Sequence, residues 1–273
     1  MVDATGPASA FDTSVPNAAR MYDYWLGGKD NFAADREAAE RSALAVPQLP
    51  WLARENRKFL GRAVRFCANA GITQFLDIGT GLPTMNSVHQ VAENITPNAH
   101  VVYVDNDPVV VSHARALLTT PRTTAIHGDL TRPDEFLADP DARGVIDFSR
   151  PVAVLLVAVL HFIPDEADPA GGVAKLREAM APGSYLVISH VEISQDHVAG
   201  QQPRTETARE LGEARRGMPP ARARTRDEVA AFFGDLTLVE PGLTDVWRWR
   251  PDADPVLAAG DVMTVVGGVA TKD

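Results

Sequence analysis

Cysteine occurs once, at Cys67, in a chain of 273 residues. A single thiol excludes any disulfide within the chain and predicts a reducing compartment. The apolar residues around it recur at helical spacing, so Cys67 reads as a packed core thiol rather than a reactive one. Long apolar runs are missing too. The longest, "PVAVLLVAVLHFIP" at 151–164, falls short of the ~20 residues a bilayer span needs and reads as a buried strand. The opening "MVDATGPASAFDTSVP" has neither a basic start nor an apolar run, so no secretory leader is expected. Basic residues are outnumbered, which leaves a net charge of −10. Such a surface repels phosphate and argues against a nucleic-acid partner. None of the seven histidines stands near a cysteine or acid at metal-site spacing, so no metal is expected. Lysine is scarce, 4 against 22 arginines, a bias that reads as a GC-rich bacterial genome. These shortages predict a cytoplasmic protein with no membrane partner.

What is present begins with a helical portion. After a loose tail of about 12 residues, "SVPNAARMYDYWLGG" offers Ser14 and Pro16 as a helix start and Gly27–Gly28 as a stop. Asp30 or Asn31 is placed to cap a second helix. A third is predicted from Trp51 to Ala70, where Leu52, Phe59, Leu60, Ala63 and Phe66 return at helical spacing. From Gly71 the rhythm changes. "QFLDIG", "HVVYVD", "TTAIHGD", "PVAVLLVAVL" and "GSYLVISHVE" read as five strands separated by amphipathic helices, and "LTLVEPGL" and "DVMTVVGGVA" as two more. Alternation of this kind predicts an α/β fold: a mostly parallel seven-stranded sheet with helices on both faces. Residues 1–70 read as tail and helical cover, and 71–273 as the sheet domain.

Open parallel sheets bind ligands beyond the carboxyl ends of their strands, so the loops there carry the chemistry. In "FLDIGTGLP", Gly79 and Gly81 permit a sharp turn and close approach of a ligand. Tight packing alone is the alternative. A dinucleotide fingerprint would have a third glycine where Thr84 stands, and a pyrophosphate would repel Asp77. An acid at the strand end suits an ammonium group instead. Pro83 is placed to begin the next helix. In "VVYVDND", Asp105 follows Gly81 by about two dozen residues, the spacing at which a carboxylate accepts ribose hydroxyls. Asn106 or Asp107 can cap the helix that follows. In "IHGDL", Asp129 and the Leu130 amide are placed to read an adenine edge, with a cap for "TRPDEFL" as the alternative.

These three segments, in this order and at these separations, resemble the first three motifs of class I methyltransferases that use S-adenosylmethionine (SAM). With "NAARMYDYWLGGKDNFAADRE" and "DIGTGLPT", the chain from about Pro16 to Ala270 resembles an actinobacterial family of such enzymes, formerly a domain of unknown function. The resemblance implies a Rossmann-like fold, SAM as cofactor and a small-molecule acceptor. It places Asp77 near the methionine ammonium, Asp105 and Asn106 at the ribose, Asp129 and Leu130 at the adenine, and Val157 beside them. The N-terminal stretch is either a plain cover or a lid. As a lid it sets Arg20 at the methionine carboxylate, Tyr22 at the sulfonium side and Lys29 at the entrance.

Catalysis is less well specified. Methyl transfer depends chiefly on alignment, and a base is needed only for a protonated acceptor. His161 and His190 are the candidates, each with a structural hydrogen-bonding role as the alternative. The absence of an Asn-Pro-Pro-Tyr-like segment counts against methylation of nucleobase amino groups. The stretch "RTETARELGEARRGMPPARARTR" reads as a solvated helix or as a substrate-side lid that draws in an acid. In "DVWRWR", Trp247 and Trp249 either join that wall or serve packing. A regulatory SAM-binding protein and a nicotinamide-dependent oxidoreductase are the rival readings. The protein is expected as a monomer or homodimer.

Overall fold

The computed structural model describes residues 12–83, 87–117, 120–192, 209–216, 218, 221–254 and 263–273. Three helices lead: α1 (Ala18–Trp25), α2 (Ala33–Ala45) and α3 (Leu49–Asn69). The first starts later than the sequence suggests. Asn17, not Ser14, is the cap, and its side chain accepts from the amides of Ala19 and Arg20. The second is capped neither by Asp30 nor by Asn31. The carboxylate of Asp35 instead reaches back to the Phe32 amide at 2.8 Å, while the Asp30 amide and the Asn31 side chain both donate to Asp23.

Strands β1 (Gln74–Ile78), β2 (His100–Asp105), β3 (Thr123–His127), β4 (Ala153–Val157) and β5 (Tyr185–Glu192) run parallel. Between them lie α4 (Val88–Glu93), α5 (Pro108–Leu117), the short α6 (Pro133–Leu137) and α7 (Pro140–Val145), and α8 (Pro169–Ala179). The helix α9 (Arg226–Ala231) begins with the Thr225–Glu228 capping box that the sequence indicates. The order is β3-β2-β1-β4-β5-β8-β6, with β8 (Thr264–Thr271) antiparallel to β5. The direction of strand order reverses at β1, the place where such sheets form a ligand crevice.

The sheet has eight strands rather than seven. "LTLVEPGL" pairs only over β6 (Thr237–Leu238), because Pro241 offers no N–H and Gly242 turns back to the Val239 carbonyl. The chain pairs with β8 again at β7 (Thr244–Asp245).

Side chains alternate across the sheet and build a core on each face. Phe75, Val101, Tyr103 and Leu155 join Phe59, Leu60 and Cys67 of α3 on one side. Leu76, Val102, Val154 and Leu156 join Phe136, Leu176 and Val229 on the other. Helix α3 is therefore continuous with the sheet's own core. Cys67 is fully buried there, and burial pushes its thiol pKa far up, which suits a packing role. Trp249 is sealed edge-on against Phe59 and Phe66, and Trp247 lies against Trp51. Among the described residues, no helix is long and apolar enough to cross a membrane.

Candidate active site

A cavity of about 1730 Å³ lies over the carboxyl ends of the strands. Of the sequence candidates, Arg20, Tyr22, Asp77, Gly79, Gly81, Asp105, Asn106, Asp129, Leu130, Val157 and His161 line it. Lys29 does not: it is exposed beyond the end of α1. His190 is fully buried and lies behind His161, their rings 5.5 Å apart and near perpendicular. Trp247 and Trp249 are packing residues outside the cavity. Thr84, the sixth position of the glycine motif, lies outside the described residues.

The glycine turn is built as its spacing suggests. Gly79 and Gly81 have φ of +71° and +65°, where side chains are disfavoured. A Cβ on Gly79 would stand 2.3 Å from Val159 Cγ2, whereas one on Gly81 would meet nothing closer than Ala19 Cβ at 3.8 Å. Gly79→Ala is thus expected to cost both backbone strain of ~1–2 kcal/mol and overpacking of ~1–3 kcal/mol. Gly81→Ala carries only the strain. Thermal denaturation of the two variants checks this order, and equal losses would contradict it.

Three acids converge on the crevice. Asp77 is buried, and burial pushes its pKa up to about 6 despite a hydrogen bond from Thr80 at 3.0 Å. The Arg57 guanidinium also opposes this shift, and Arg57 lines the cavity with it. Asp105 accepts from the amides of Gly81 and Asp107, each at 2.9 Å, so the acid fixes the glycine turn. Burial raises its pKa, with those amides opposing. Among the described residues, the Asp129 carboxylate accepts on Oδ1 alone, from the Thr131 amide and hydroxyl. Asp107, not Asn106, caps α5 through the Val109 amide at 2.8 Å.

The N-terminal helices close over these loops through polar contacts. Asn17 donates to Asp107 at 2.9 Å, tying the start of α1 to the β2 loop. Asp35, with no exposed surface, accepts from the Asn17 amide, Arg20 Nε and the Phe32 amide. Arg20 is therefore anchored inside the cover. Tyr22 donates its hydroxyl to the Ala53 carbonyl and accepts from Asn56. Asn56 in turn accepts from Ser189 at 2.6 Å, and Ser189 holds the Ala158 amide at 3.0 Å. Ala158 has φ of +59°, a strained conformation beside Val157 and Val159. Sequence reasoning missed Asp35, Asn56, Arg57 and Ser189. Each sits in an ordinary helix or strand pattern, and its role arises only from contacts distant in the chain.

At the β4 end, neither ring nitrogen of His161 has a partner among the described residues, and Nδ1 is sealed from solvent. Burial lowers its pKa well below the usual value, reinforced by His190, Arg215 and Arg224, so the ring is neutral near pH 7. His190 is pushed down to about 4, mainly by burial. Its Nδ1 meets the Val191 carbonyl, and its Nε2 lies 3.0 Å from the Arg224 guanidinium. Among the described residues, no group of three or more His, Cys, Asp or Glu could hold a metal ion.

A parallel sheet reversing at β1, an antiparallel β8 and acids at the ends of three successive strands define the class: Rossmann-like methyltransferases. A family model described as S-adenosyl methyltransferase matches residues 4–273, and the chain belongs to that family. It is 41% identical to a Thermobifida fusca protein assigned to the methyltransferases, over 98% of this chain and 99% of that one, at a TM-score of 0.85. It is 40% identical to a DUF574-family protein from Streptomyces avermitilis, over 96% and 99%, at a TM-score of 0.86. An O-methyltransferase family protein from Burkholderia thailandensis, 13% identical, shares the fold at a TM-score of 0.50, over 95% of this chain and 65% of that one. No curated protein matches the chain. The protein is a SAM-dependent methyltransferase.

Proposed function

We propose that SAM lies across the carboxyl ends of β1, β2 and β3, and that the acceptor occupies the same cavity beside β4 and β5. The size of the cavity carries this reading: about 1730 Å³ exceeds the ~300–1,000 Å³ of an ordinary single-ligand site. The residues fit the cofactor. Asp77 loses its burial penalty most fully to a cationic group and takes the methionine ammonium, with Arg57 at the carboxylate. Asp105 accepts from backbone amides through both oxygens and keeps acceptor capacity for the ribose hydroxyls. Asp129 has Oδ2 available for the adenine amino group, beside the Leu130 amide. Asn106 and Val157 flank the nucleoside. The ring of Tyr22 covers the sulfonium side while its hydroxyl stays in the Asn56 network.

Residues 1–70 act as the cover and 71–273 as the sheet domain, with α3 serving both. Arg20 keeps the cover in place through Asp35. When bound, SAM supplies a methyl group on a sulfonium, ready for displacement. The chain supplies alignment and exclusion of water. His161 receives the acceptor's proton at Nε2, since Nδ1 is sealed. Its depressed pKa restricts it to acceptors whose proton is already acidic. His190 and Arg224 position that ring from behind. The buried lone thiol and the net charge support a cytoplasmic protein that does not act on nucleic acid or at a membrane. It works as a monomer or homodimer.

Asp105→Ala is expected to weaken SAM binding by ~1–3 kcal/mol, the penalty for hydroxyls left unpaired. Calorimetric titration measures this, and unchanged affinity removes Asp105 from the ribose.

A further inference from the structure

The arginines between 209 and 226 divide into two sets. Arg209 pairs with Glu213 at 2.7 Å, Arg222 with Asp165 at 2.6 Å and Glu228 at 3.1 Å, and Arg224 with Asp165 at 2.7 Å. Arg226 grips Glu192 through two nitrogens, at 2.9 and 2.7 Å. Arg215 has no ion pair or side-chain hydrogen bond among the described residues. Yet it is half-buried and lines the cavity, its guanidinium 5.3 Å from the centre of the Phe162 ring. With no anion beside it among the described residues, a guanidinium taken partly out of water carries a desolvation cost that the ring only partly offsets.

The surroundings say what would answer that charge. Glu192, the acid at the end of β5 that lines the cavity, is already committed to Arg226. His161, next to Phe162, is 6% exposed with its Nδ1 unpartnered among the described residues, and as a neutral ring it supplies no counter-charge. Leu211, Ile163 and Met218 complete an apolar wall. The polar end of this half of the cavity is thus the half-buried Arg215 beside one neutral imidazole, with the exposed Arg216 also lining it.

We propose that the methyl acceptor is an organic anion, whose carboxylate or phosphate seats on Arg215 while its apolar body lies against Phe162. This rests on the assignment of SAM to the β1–β3 end, because that assignment leaves the β4–β5 end to the acceptor. Arg215 is a specificity-determining residue: it holds the acceptor's anionic group in the forked geometry a guanidinium offers. His161 then meets the part of the acceptor that carries the nucleophile.

The test uses the full chain saturated with S-adenosylhomocysteine and titrated calorimetrically with benzoate, phenyl phosphate and neutral benzamide. Benzoate or phenyl phosphate is expected to bind at least about tenfold more tightly than benzamide, the scale of one charged hydrogen-bonded contact. Whichever anion binds better identifies carboxylate or phosphate as the source. Arg215→Gln abolishes the preference and Arg215→Lys keeps part of it, while both retain the affinity for S-adenosylhomocysteine. Benzamide binding as well as the anions, no anion binding, or a preference that survives Arg215→Gln overturns the proposal. Failure of the unaltered protein to bind S-adenosylhomocysteine overturns the cofactor site on which it rests.

Discussion

Asp77→Asn is expected to weaken SAM binding by about 2–5 kcal/mol, the cost of removing one partner from a desolvated charge pair. The amide keeps the shape of the side chain and can still accept from Thr80, so the loss reports charge rather than packing. The same acid sets a pH dependence. Burial raises its pKa from 3.8 to about 6, so in the free protein it gains a proton as pH falls through 6. A cationic ligand binds the carboxylate form. Its affinity is therefore full above pH 6 and declines by about tenfold per unit below it. Folding responds with the opposite sign. Between pH 3.8 and about 6 the folded chain holds a proton on Asp77 that the unfolded chain has released. This group's contribution to stability accordingly falls as pH rises through that window, then stays level. Calorimetry at pH 7 and pH 5 should show the decline in the unaltered protein and none in Asp77→Asn. Parallel profiles would place the ammonium elsewhere.

Asp35→Ala is expected to destabilise the protein by about 3–5 kcal/mol, the range for breaking a buried ion pair from one side. Arg20 Nε sits 2.7 Å from this carboxylate, with 6% and 0% of the two side chains exposed. Two backbone amides, of Asn17 and Phe32, lose their acceptor at the same time. Because Asn17 also bonds Asp107, loosening α1 and α2 releases the loop that follows β2. The variant should therefore melt earlier, be cleaved first within the N-terminal helices, and bind SAM more weakly. An unchanged melting temperature with unchanged SAM affinity would mean that the cover has no part in the site.

The parts of this fold that the sequence reveals are those governed by local pattern. A continuous apolar run marks β4, the apolar Phe75, Leu76 and Ile78 mark β1, and the helical repeat of Leu52, Phe59, Leu60 and Ala63 marks α3. The loop acids are legible because Asp77, Asp105 and Asp129 close strands that can be recognised independently. The C-terminal edge is less so, since β6 and β7 are two residues each and exist through pairing with β8 rather than through pattern. Arg20 illustrates a contact that sequence does not announce. Its charge and its place on the cavity wall suit a ligand carboxylate, and Asp35, fifteen residues later, also holds its Nε through tertiary contact. Asn56 and Ser189 are silent in sequence because their bond joins residues 133 positions apart. His161 and His190 look alike as residues near the carboxyl ends of strands. Only the packed structure separates a cavity-lining ring from one sealed against Arg224.

A single cavity built on Asp77, Asp105 and Asp129 is expected to take SAM rather than a dinucleotide. Calorimetric titration of the purified protein with SAM, S-adenosylhomocysteine and NAD tests it most directly. Micromolar binding of SAM and its demethylated product with no heat from NAD is the expected result. Binding of NAD with silence from SAM would make the cavity a dinucleotide site.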